Sequence, residues 1–306
     1  MATIDKFTLP PGGHRAWCCC PFTDPEAVGY VLHSVTSGFI IMSNIFFQAA
    51  VLELAERDAG CGWRYRLEDD PDYTDDPDDC KGTTHGMRPA NIYNTIATAA
   101  AFGVALLLPL VGVIVEHTSY RKELALLGMV FAAFIQIVQG FVNRDNWFTM
   151  TVLQVFAITA YYNTGFAVAA YVPELSTLQD ELNKIGAFSS MSLFTTEVLY
   201  VIVINVIGSA LYGGHLHSTI KIARFSQLFC GIGLFFIIAV VHGRYLRTRP
   251  KEILPCGEVV RRGLSDLKKL CKQTYTDHPD LFRYLIGISF ANSAMVRKTL
   301  QHIKST

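Results

Sequence analysis

Long apolar runs, each broken by only a few small or polar residues, recur along the chain with polar segments between them. A membrane-spanning helix needs roughly 20 mostly apolar residues. That length picks out six stretches, 29–52, 92–115, 124–142, 148–172, 188–211 and 225–245. A seventh run opens at Leu281 but meets Arg297 and Lys298 too soon to span, so it reads as a stump. Gly, Ser and Thr are scattered through the runs, as in helices that approach one another closely in lipid. The pattern predicts an all-α membrane protein: a six-helix transmembrane bundle plus the stump of a seventh helix.

Composition agrees. Of 306 residues, 51% are hydrophobic and 17% charged, and the mean hydropathy is +0.30, a balance rarely seen in a water-soluble chain. Residues 1–24 are polar and lack the apolar core of a signal peptide, so the first span is expected to act as its own insertion signal. Acidic and basic residues number 26 each, but they are not evenly spread. Arg244, Arg247, Arg249, Lys251, Arg261, Arg262, Lys268, Lys269 and Lys272 crowd behind the sixth span. Basic loops stay in the cytosol, and an even number of crossings then places the N-terminus there too, together with the turn carrying Arg121 and Lys122. The expected organisation is a cytosolic segment at 1–28, a bundle at 29–246 with an acidic lumenal loop at 56–90, a basic cytosolic linker at 247–280, and a partial seventh helix with a divergent tail at 281–306.

The acidic loop contains "RLEDDPDYTDDPDDC". Counted from Asp70, its sixth and twelfth positions are Asp75 and Lys81, where a calcium-binding EF-hand needs Gly and Glu, so it reads as a solvated loop. Cys61 and Cys80 bracket the run and are either a disulfide of an oxidising lumen or two unpaired thiols. Cys18, Cys19 and Cys20 precede the first span on the cytosolic side, a setting for reversible palmitoylation.

Polar side chains inside spans are costly against lipid and usually face a cavity or another helix. His33, Ser37, Asn44 and Gln48 follow one another at spacings of four, seven and four, which at about 100° per residue is one stripe. Gln154, Tyr161 and Gly165 repeat the arrangement in the fourth span, and Glu197 and Asn205 share a side of the fifth. These stripes either hydrogen-bond between helices or line a path for a polar solute. The ionisable His33 and Glu197 are the stronger path candidates.

The fourth span closes on Pro173 and Glu174 in "YYNTGFAVAAYVPELS". Proline lacks an amide proton and disfavours helical geometry in the residue before it, so the helix is expected to end or kink at Val172, leaving Glu174 at the cytosolic rim. Arg121 is a candidate partner there. The short turn "GVIVEHTSYRKE" carries Gly112, Glu116, Arg121 and Lys122, charges suited to pairing with a neighbouring helix end in one conformation and releasing it in another.

"PLVGVIVEHTSYRKELALLG" resembles the signature loop of the major facilitator superfamily, with Glu116 in place of the common Asp. Within it, "GYVLHSVTSGFIIMSNIFFQAAVLELAERDAG", "YYNTGFAVAAYVPELS" and "RYLRTRPKE" resemble, in order, segments of the autophagy-related protein twenty-two family of vacuolar effluxers. The resemblance runs from about 26 to 292. It implies the N-terminal half of a major facilitator fold, in a vacuolar membrane, exporting small polar solutes, above all amino acids, to the cytosol by alternating access. The pattern of the family's seventh helix is left after about Ala294. The chain is therefore expected to be an incomplete gene model, a half that associates with a copy of itself, or a half-length scaffold or receptor-like protein that does not transport. The partners expected are solute and lipid, with no nucleic acid and no cofactor. No hydrolase or metalloprotease motif is present, and His215 and His217 alone are too little for a metal site, so no enzyme is expected.

Overall fold

A computed structural model describes residues 25–60, 82–176, 178–212 and 219–241, with scattered positions between 245 and 283. Cys18, Cys19, Cys20, Cys61, Cys80, His215, His217 and nearly all of the 281–306 stump lie outside the described residues, as does most of the basic linker.

Among the described residues, six helices are long and apolar enough to cross a membrane. They are α1 (Pro25–Asp58), α2 (Pro89–His117), α3 (Arg121–Gln139), α4 (Trp147–Ala169), α6 (Gln179–Tyr212) and α7 (Thr219–Val240), with a single turn, α5 (Val172–Leu175), between α4 and α6. In lipid every backbone polar group must be satisfied within the chain, which leaves helices as the answer to such apolar runs. The helices outlast the hydropathy runs where end turns are polar. α1 continues past Leu52 through Glu53, Glu56 and Arg57, and α6 begins at Gln179, nine residues ahead of the expected Phe188.

α1 packs on α6 and α7, α7 on α3, α3 on α4, and α4 on α2. α2 and α6 therefore close the two ends of this sequence of contacts. Only 22% and 17% of their apolar windows are buried, against 39% for α1, α3 and α4, and Phe102, Leu106, Phe194, Val198 and Val206 stand exposed on them. Apolar surface faces outward here because the surroundings are lipid, so tight packing rests on small residues and interhelical hydrogen bonds. At Gly38 a Cβ would lie 2.9 Å from Thr196 Cβ, and at Gly231 one would lie 2.9 Å from the Ala133 carbonyl. Any side chain at these positions would push α1 off α6, or α7 off α3.

The end of the bundle where α4 begins is tied by the residues just before α2. Thr84 and Met87 bond to each other across a tight turn, with His85 and Gly86 at φ of 48° and 75°. The Thr84 hydroxyl donates to the Asp58 carboxylate at the end of α1. The His85 ring stacks on Phe148 with centroids 4.1 Å apart and meets Trp147 edge-on.

The break before α5 comes earlier than the proline rule suggests. α4 ends at Ala169 rather than Val172, and Pro173 sits in the first turn of α5. The pyrrolidine ring of Pro173 opposes the carbonyl four residues back, which is that of Ala169, and offers it no N–H. The ladder fails there, the Tyr171 N–H falls back on the Val168 carbonyl, and the chain turns. At the start of α5 the missing amide of Pro173 costs nothing, because first-turn amides have no intrahelical partner.

Candidate solute path and charged clasp

Each of three helices places one member of its polar stripe within electrostatic range of the others. The Tyr161 hydroxyl of α4 lies within electrostatic range of the Ser37 side chain of α1 and of Glu197 on α6. Ser37 and Glu197 are half-buried, and a Cβ built on Gly165, one turn beyond Tyr161, would touch nothing within 4 Å. Tyr161 also packs against the core cluster of Ile40, Met129 and Leu234, so the three half-buried polar side chains lie at the edge of that core. The arrangement rests on the close approach of α1 and α6 at Gly38, reinforced by Ser34 and Ser189, whose hydroxyls share a hydrogen bond of 2.5 Å. Buried His33 lies one turn from Ser37, and its carbonyl accepts from the Thr36 hydroxyl.

Other members of the stripes face elsewhere. Asn44 is buried and accepts from Gln136 Nε2 of α3 at 2.9 Å. Gln154 is fully buried and accepts from Gln139 Nε2 at 2.7 Å. Asn205 is exposed and donates to the Val201 carbonyl of its own helix at 2.8 Å. Gln48 is half-buried on α1.

Sequence reasoning passed over the polar residues of α3 and α7, which form the most extended buried network. The Ser43 hydroxyl donates to Gln136 Oε1 at 3.2 Å, and Gln227 Nε2 of α7 donates to the Ser43 carbonyl at 3.0 Å. The Tyr200 hydroxyl of α6 donates to the Ser226 carbonyl at 2.7 Å and shares a bond with its side chain. Gln136, Gln139 and Gln227 are fully buried. The available signal was Gln136 and Gln139 themselves, two amides three residues apart in an otherwise apolar helix. A group that lipid cannot solvate requires a partner.

At the opposite end, Arg121 opens α3 and gathers three helix termini. Its guanidinium grips the Glu174 carboxylate with both prongs, Nη1 to Oε2 at 3.0 Å and Nη2 to Oε1 at 3.2 Å. The same nitrogens donate to the carbonyls of Val115, near the end of α2, and Ala170, just past the end of α4, each at 3.3 Å. The Tyr171 ring lies beneath, 4.7 Å from the guanidinium carbon. A cation at the negative ends of two helix dipoles, bidentate to a carboxylate and stacked on an aromatic face, uses each property that separates arginine from lysine. The Arg121 side chain is 10% exposed and that of Glu174 28%. Every partner belongs to the same six-helix unit, so the contact staples α2, α3 and α4. Lys122 is half-buried, while Glu116 and Gly112 are exposed near the end of α2, with open space around Gly112.

Six membrane-length helices, with amides turned inward and apolar faces outward, define an integral, multi-pass membrane protein. The family model for "Vacuole effluxer Atg22 like" proteins matches residues 26–303, and the chain belongs to that family of membrane transporters. The match takes in residues 295–303, which the sequence pattern had set apart as a divergent tail. No curated protein and no solved structure matches the chain.

Proposed function

We propose that the chain exports small polar solutes, amino acids above all, from the vacuole lumen to the cytosol by alternating access, with its N-terminus in the cytosol. The observation that carries the reading is that Ser37, Tyr161 and Glu197, half-buried polar side chains of three helices, lie within electrostatic range of one another, in a member of a vacuole effluxer family. A carboxylate, a phenol and a hydroxyl can hold a solute ammonium and carboxylate without the protein being rebuilt, and His33 one turn away suits proton transfer. Gln48 extends the path along α1 and Asn205 along α6. Asn44 and Gln154 fix the helices that carry it. Alternating access rocks one helix bundle against another around a fixed site, which requires each bundle to move as a unit. The Arg121–Glu174 clasp supplies that rigidity at the cytosolic rim, with Gly112, Glu116, Lys122 and Pro173 shaping the surface that a facing bundle meets.

The test is release of a labelled amino-acid mixture from proteoliposomes containing the chain, with E197Q and Y161F as variants. The parent releases solute, and E197Q slows release about tenfold or more. Release unchanged in both variants would sink the assigned site, and a parent no better than empty vesicles would sink transport by this chain.

A further inference from the structure

A second polar site lies on the α3–α7 face, away from the path. Gly140, Phe141 and Asn143, which follow α3, and Arg224, Phe225 and Leu228 of α7 line an open groove of about 510 Å³. Arg224 is held in it by a bond from its Nε to the Val142 carbonyl at 2.5 Å. Its two terminal nitrogens meet no acceptor among the described residues, and no carboxylate pairs with it there. Asn143 presents a further donor. Its Oδ1 already accepts the backbone N–H groups of Asp145 and Asn146, which leaves the Nδ2 amide for a ligand.

The depth of the groove decides what suits it. Arg224 lies level with the Val142 carbonyl, three residues past the end of α3, and so near the end of the bundle. Polar Asn143, Arg144, Asp145 and Asn146 mark the water side, and α4 begins just after them at Trp147. Phe141 is 64% exposed beside them. A cation with four N–H groups that meet no acceptor among the described residues is costly at the border of hydrocarbon and headgroups, and the walls next to it are apolar. Fixed donors above and an apolar channel below match a phosphate with an acyl chain.

We infer that this groove binds an anionic phospholipid of the leaflet at the Trp147 end of the bundle. The phosphate is held by the terminal nitrogens of Arg224 and the Asn143 amide, and the acyl chain lies along Phe225, Leu228 and Phe141. The Nε bond to Val142 fixes the guanidinium in advance, so little side-chain entropy is lost on binding.

The experiment is native mass spectrometry and thermal unfolding of the full chain, reconstituted in phosphatidylcholine alone or with phosphatidic acid. The expected result is preferential retention of phosphatidic acid and a higher Tm in its presence. R224Q and N143D should each retain it roughly tenfold less, the scale of one lost charge-assisted hydrogen bond. N143D keeps the Oδ1 that orders the loop and places a negative charge against the phosphate, so it carries the test should R224Q fail to fold. Equal retention by parent and both variants overturns the site. Protection by inorganic phosphate equal to that by the lipid overturns the acyl-chain half of the inference.

Discussion

Separating Arg121 from Glu174 should show that the clasp acts as one unit. E174Q keeps the shape of the acid but removes its charge, weakening two charge-assisted hydrogen bonds of 3.0 and 3.2 Å while the two helix carbonyls still hold the arginine. Such bonds contribute about 1.5–3 kcal/mol each when fully buried. With the glutamate side chain 28% exposed, solvent takes up part of the loss, so E174Q should cost about 1–2 kcal/mol. R121A costs more, about 3 kcal/mol, because it also strands the Val115 and Ala170 carbonyls and uncovers Tyr171. The decisive quantity is the coupling in an R121A, E174A double-mutant cycle. A solvated surface pair gives about 0–1 kcal/mol, whereas this bidentate, mostly buried pair should give about 2 kcal/mol. The assay is equilibrium unfolding in mixed micelles by denaturing-detergent titration. R121K retains the charge but not the fork and should recover less than half of the loss. A coupling below about 0.5 kcal/mol would refute the claim that the pair is the centre of the staple.

Three further outcomes follow from the packing. G38V forces a branched side chain into the 2.9 Å gap to Thr196 and should lower stability by about 1–3 kcal/mol in thermal unfolding, with G38A falling between it and the parent. Q136L leaves Asn44 and Ser43 without their amide partner and should cost about 1 kcal/mol, while Q136L with N44L recovers most of it, since removing both partners is less harmful than stranding one. A spin label at residue 34 should come nearer to one at 189 than to any on α2, and equal distances would refute the α1–α6 approach.

The legible part of the fold was set by a single physical constraint, the length of apolar chain needed to cross a bilayer. It located all six spans, and missed their ends where Glu53, Arg57 and 179–187 continue a helix beyond the apolar run. Hydropathy reports what a residue touches, whereas backbone hydrogen bonding decides where the helix stops. Pro173 shows the same gap from the other side, because its effect falls on the carbonyl four residues away. Angular position along a helix grouped Ser37 with Asn44 and Tyr161 with Gln154, yet the structure parts both pairs. The rotation of α3, which delivers Gln136 and Gln139 to α1 and α4, is a property of the assembled bundle and is written in no single helix. Charge chemistry was more readable: Arg121 and Glu174 were candidate partners from their places at two helix ends, and they touch.

The amides of α3 bear on how the protein is made. Helices enter the membrane in order of synthesis, and α3 arrives before two of its partners exist. Gln139 waits for Gln154 on α4, whereas Gln136 finds Asn44 and Ser43 on the earlier α1, and Gln227 of α7 later adds a bond to the Ser43 carbonyl. Until α4 emerges, Gln139 is a group that lipid cannot solvate. Its retention beside the translocon, or beside a membrane chaperone, should therefore outlast that of α2, whose span is almost wholly apolar, and should end when α4 emerges. Shortening the nascent chain to stop before Trp147 would leave α3 beside α1 with Gln139 lacking Gln154, a state that quality control can recognise by that amide.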